Sequence, residues 1–126
     1  MSMCRAALAA TFIALFLPAT ALAHAKMQAS VPQDGAEVPA GLAEIEMSFS
    51  KPLRVTVVHL TRSENEEIPI TGGIPKSFAS TVKLAVAPLS AGSYEVSWTA
   101  VADDGHVMRG HFGFTVTEVQ SARPSQ

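Results

Sequence analysis

Beyond residue 23 the apolar residues of this chain fall at every second position, and no segment carries them at helical spacing. Glu44–Phe49 alternates with Ile45, Met47 and Phe49 on one face. Thr81–Val86 alternates again. Ser93–Val101 sets Tyr94, Val96, Trp98 and Ala100 against Glu95, Ser97 and Thr99, and Arg109–Val116 sets Phe112, Phe114 and Val116 inward with His111 outward. Val55–Thr61 is β-branched and apolar on both faces, which predicts a central strand. Turn formers separate these runs: Pro32–Gly35, Pro39–Gly41, the acidic Ser63–Glu67, Pro69–Pro75 and Pro88–Gly92. Short alternating runs between frequent turns predict an all-β domain, an antiparallel Greek-key, immunoglobulin-like β-sandwich of about seven strands. Trp98 is expected in its core.

The first 23 residues have a different character. A short segment with Arg5 precedes an apolar run from Ala6 to Leu17, Pro18 interrupts it, and Ala21-Leu22-Ala23 offers small residues where a signal peptidase reads. A run of about a dozen residues is short of the roughly 20 that span a bilayer as a helix. Residues 1–23 are therefore expected to be a cleaved signal peptide, 24–118 the folded domain and 119–126 a flexible polar tail. The domain is expected to be exported and soluble after cleavage. Cys4, the single cysteine, leaves with the leader, so no thiol or disulfide is expected in the domain. After residue 23 eight bases face eleven acids. That balance argues against nucleic acid and anionic lipid as partners.

Cleavage after Ala23 makes His24 the first residue. A free α-amine titrates at roughly pH 7.7–8.0 and an imidazole at roughly 6.5, so both become donors near neutrality. One residue then offers two nitrogens to one metal ion. A second set of donors lies in Asp103-Asp104-Gly105-His106, in the turn between the two longest runs, where Gly105 permits Asp104 and His106 to aim at one point. Taken alone, that turn also reads as an ordinary solvated acidic loop. Combined, His24, Asp104 and His106 form a three-nitrogen, one-oxygen set that suits tetragonal Cu(II), and the lack of a thiolate argues against structural zinc. Spacing does not establish that residues 24 and 104–106 meet. His59 shares a face with Val55 and Val57 and is expected to be a partly buried structural histidine; Met27 and Met108 are expected to pack.

The domain resembles the CopC family of periplasmic copper-binding proteins. The resemblance is carried by His24, Ser30-Val31-Pro32 with Gly35, Ile45-Glu46-Met47-Ser48-Phe49-Ser50, Pro88 through Trp98, Asp103-Asp104-Gly105-His106 and Gly110-His111-Phe112-Gly113-Phe114. It implies a small β-sandwich that holds Cu(II) through the His24 amine and side chain, Asp104 and His106. It also implies work in copper resistance, by sequestering the ion or passing it to an inner-membrane copper transport protein. Lys51 stands where some members have Glu and cannot supply an oxygen. Some members carry a methionine-rich Cu(I) site, but residues 59–80 contain no Met, so one Cu(II) ion and no such second site are expected. A copper oxidoreductase built on an N-terminal histidine, like the lytic polysaccharide monooxygenases, is a competing reading. The chain is small for that fold and Asp104 would fill a position that chemistry needs open, so a non-enzyme is expected. A metal-free immunoglobulin-like interaction module is the third reading.

Overall fold

The computed structural model describes residues 26–63 and 65–118; the expected leader, His24 and the expected tail from residue 119 lie outside them. Seven strands follow one another: β1 (Met27–Val31), β2 (Ala36–Pro39), β3 (Glu44–Arg62), β4 (Glu66–Ile68), β5 (Ala79–Ala85), β6 (Gly92–Ala102) and β7 (Val107–Thr117). No helix occurs among the described residues. The architecture is an all-β sandwich, as the alternation predicts.

Its organising element is β3, 19 residues long. Sequence alternation marks Glu44–Phe49 and Val55–Thr61 as two separate runs. The chain instead continues through Ser50-Lys51-Pro52 as one strand, with an irregular ladder between Ser48 and Leu53. Proline lacks the N–H a regular ladder needs, so pairing changes there while the backbone stays extended. Before the irregularity, Met47 lies opposite Ser30 of β1 and Val82 of β5. Beyond it, Leu60 lies opposite Val96 of β6 and Ile68 of β4. Leu53 meets both Ala79 of β5 and Ala102 of β6. A strand has two edges, so β5 and β4 share one edge of β3 while β1 and β6 share the other. β7 pairs antiparallel with β6, and β2 closes the far side parallel to β7.

Both halves of β3 turn alternate side chains into one core. Ile45, Met47 and Phe49 come from the first half, and Leu53, Val55, Val58 and Leu60 from the second. Tyr94, Val96, Trp98 and Ala100 of β6 join Phe112, Phe114 and Val116 of β7, all buried as their alternation predicts. Phe49 meets Trp98 edge to face, with centroids 5.1 Å apart. That contact ties the first half of β3 to β6. At the opposite end the Tyr94 hydroxyl donates to the Ser90 carbonyl at 2.7 Å, the corner contact of immunoglobulin-like sandwiches.

The phase of β3 shifts once more, at a bulge between Val55 and Val57. Val55, Val58 and Leu60 are therefore buried, while Val57 and His59 face out. This corrects the expectation that His59 is partly buried: its side chain is 56% exposed.

Gly110 leaves room for the indole of Trp98. A Cβ built there would lie 2.5 Å from Trp98 Cζ2, too close for carbon atoms, and the ring is hemmed in by Phe49. Gly110→Ala is expected to destabilise the domain by about 1–3 kcal/mol, as overpacking of a filled core does. Urea denaturation measures this, and an unchanged midpoint would show that the indole does not need the space.

Candidate metal centre

Residues 103–105 form a three-residue hairpin loop between β6 and β7. Ala102 N–H donates to the His106 carbonyl at 2.9 Å and Gly105 N–H to the Ala102 carbonyl at 3.0 Å. Gly105 sits at φ +87°, the left-handed position that three-residue hairpin loops place last, where glycine has no Cβ to strain. Asp104 uses both carboxylate oxygens on the same residue: Oδ1 accepts the His106 backbone N–H at 3.1 Å and Oδ2 accepts Nδ1–H of its ring at 2.8 Å. An aspartate accepting from the backbone two residues on is a common turn device. Here it also orients an imidazole.

The two side chains expected to act together are thus brought together, and both are open to solvent, at 57% exposure for Asp104 and 76% for His106. The His106 backbone N–H is the main reason the Asp104 carboxyl is held below its usual range; slight desolvation opposes this and the His106 ring adds to it. The pair has two ways to meet a cation. Nε2 of His106 can bind it with Asp104 behind as proton acceptor. Alternatively the cation replaces the shared proton, for Nδ1 and Oδ2 stand at about the edge length of a square whose bonds are ~2.0 Å. Among the described residues no group of three or more His, Cys, Asp or Glu comes together around a point. His24, the remaining expected donor, lies outside the described residues.

The start of the described chain is nevertheless fixed relative to this hairpin. Lys26 and Ser50 exchange two bonds: Lys26 N–H donates to Ser50 Oγ at 3.0 Å, and Ser50 N–H to the Lys26 carbonyl at 2.9 Å. Leu53, three residues further along β3, pairs with Ala102 at the base of the hairpin. β1 and β6 lie on the same edge of β3, so Lys26 and Ala102 flank about 10 Å of one strand. The sequence alone assigns Ser50 no such role, since the contact joins residues 24 positions apart.

The other candidates lie elsewhere. His59 pairs with Glu67 at 2.9 Å, a surface contact that the hairpin from β3 to β4 creates. His59, Ser97 and His111 form one row across β3, β6 and β7, so His111 faces outward as expected and far from the hairpin loop along β7. Asp103 and Lys51 are exposed. Met47 is fully buried, and Met27 and Met108 pack against the core, so packing accounts for all three.

The CopC domain model matches residues 27–117. The chain belongs to the CopC family. Copper resistance protein C of Pseudomonas syringae pv. tomato is 32% identical over 123 residues, covering 84% of this chain and 94% of that protein. Copper resistance protein C of Escherichia coli is 34% identical over 110 residues, covering 77% and 84%. The crystal structure of PcoC, a methionine-rich copper resistance protein from Escherichia coli, superposes with a TM-score of 0.60 at 30% identity, over 75% of this chain and 100% of that one.

A carboxyl held low by native contacts adds stability above its unfolded pKa, and that stability is lost as pH falls through the folded value. Asp104 should accordingly remain ionised below about pH 3.9, the ordinary value. His106→Ala should raise its titration midpoint only in part, because the backbone N–H remains. Carboxyl NMR across a pH titration measures both; an Asp104 midpoint at or above the ordinary value would contradict the hairpin geometry.

Proposed function

We propose that this CopC-family protein binds copper and serves copper resistance, holding one Cu(II) ion through the amine and imidazole of His24 together with Asp104 and His106. The observation that carries the reading is the hairpin pair, two oriented and exposed donors 2.8 Å apart. The register of β1 supports it. His24 precedes Lys26 by two residues, and extended chain covers about 7 Å in that distance. β1 meets β3 on the edge that β6 also occupies, so Lys26 lies on the same edge as Ala102, opposite Ser50 and close to Leu53.

Three nitrogens and one carboxylate oxygen fill a square and match the preference of Cu(II) for tetragonal N and O donors. Filling all four positions with protein donors suits a carrier, since a reacting site keeps a position open. The protein is therefore read as a carrier and not an enzyme. Export by the leader places it in the periplasm, where it sequesters Cu(II) or passes it to an inner-membrane copper transport protein. Copper here is cargo, and ligands that shed protons near neutrality let acid release it.

Cu(II) titration of the processed protein, followed by EPR of the bound ion, tests the reading. One equivalent should bind, with nitrogen hyperfine structure. Asp104→Ala and His106→Ala should each weaken binding by more than about tenfold, and His59→Ala should leave it within about twofold. Affinity should fall steeply below about pH 6, because protons compete with the ion for its nitrogen donors. Absence of bound copper, or the same affinity at pH 5 as at pH 7, would overturn the assignment.

A further inference from the structure

On the β5/β4 edge of β3, a stretch of strand is bare. β5 reaches this edge at Leu53 and β4 begins at Leu60. Among the described residues no strand pairs with Arg54–His59 there, which leaves about 20 Å of edge with unused ladder groups. The segment 69–78 runs outside it, and between the two lies a groove of about 610 Å³. Val55 and Val58 of the core form part of its floor, joined by Ile70 and Ile74 from the outer segment, and Arg54 and Lys76 stand on its lining as cations. The Arg54 guanidinium lies 5.6 Å from the ring centroid of Phe78, itself 46% exposed.

The lining of this groove carries two cations and no carboxylate. The domain is acidic, yet Arg54 and Lys76 pair with no carboxylate among the described residues. The bases that do pair, Arg62 with Glu66 and Lys83 with Glu44 and Glu46, lie further along the strands, away from the hairpin. Charges and a bulge also guard a bare edge against pairing with a second copy. Guarding, however, does not call for an apolar groove beneath the charges.

We propose that this groove takes up an extended, acidic segment of a partner protein, which adds as a strand to the bare edge of β3. Strand addition uses main-chain hydrogen bonds for affinity and alternate side chains for selection. Apolar side chains of the segment would rest on Ile70 and Ile74, the part-exposed apolar residues of the lining, while its carboxylates meet Arg54 and Lys76. Arg54 lies opposite Val101, next to the Leu53–Ala102 pair where the hairpin begins, so the docked segment ends across β3 from the base of that hairpin. A partner held there stands at the same end of the domain as the proposed copper site. That last point rests on the copper reading; the docking itself does not.

The test uses the purified protein and a fluorescent peptide of alternating Val and Glu, with a Val and Lys peptide as control. The acidic peptide should bind, the basic one at least about tenfold more weakly, and the double variant Arg54→Glu/Lys76→Glu should reverse that preference. Amide exchange within Arg54–His59 should slow on binding, and Cu(II) affinity of the double variant should stay within about twofold of the unaltered protein. No saturable binding up to about 1 mM, equal binding of both peptides, or protection on another edge would overturn the proposal. So would sedimentation showing a dimer that the double variant abolishes, which gives the edge to a second copy, or binding to phosphatidylglycerol vesicles with none to peptide, which gives it to lipid. Failure of the copper reading would appear in the metal titration alone and leave the peptide result standing.

Discussion

The constraint on which the molecule depends is that one strand, β3, belongs to both halves of the sandwich. Its first half carries β1 and β5, its second half β6 and β4, and the change of partners falls at Ser50–Leu53. Everything attached near that change is drawn to one end of the domain: Lys26 just before β1, Ala79 at the start of β5, and Ala102 at the end of β6. The core holds this arrangement, because Phe49 just before the change packs on Trp98 of β6. Displacing either ring would loosen the junction that holds β1 and β6 on one edge of β3.

Much of the sandwich was legible in the residues. The alternation in Glu44–Phe49, Thr81–Val86, Ser93–Val101 and Arg109–Val116 marks four faces that are buried in the structure, because period-two burial is a local property of a strand with one wet side. Non-local elements were not legible. β2 is four residues ending in Pro39 and exists through its parallel contact with β7, nearly 80 positions away. β4 lies in an acidic stretch that reads as a turn, and its ladder with β3 is short. Glu44–Phe49 and Val55–Thr61 read as two runs, yet only the pairing changes between them and the strand runs on. The His59 misreading came from the bulge at Val55–Val57, which a regular alternation does not foresee.

The candidate site divides in the same way. Asp104 and His106 are two residues apart and Gly105 between them suits the hairpin, so their contact is written into a short motif. The exchange of bonds between Lys26 and Ser50 is long-range, and nothing in either residue type announces it. Family membership supplies the wider context: relatives named for copper resistance share most of the domain. The chemistry still rests on named atoms, a carboxylate and an imidazole held in register by a backbone N–H. The bare edge of β3 and its two unpaired cations extend the same end of the molecule toward a surface on which a partner can act.

The most direct measurement compares the Cu(II) dissociation constant of the protein beginning at His24 with that of a form carrying one extra residue ahead of it. The extension turns the terminal amine into an amide and leaves every side chain in place. Binding weaker by about a hundredfold or more is expected if the chain start and the hairpin close on one ion. Equal affinity for the two forms would contradict that account.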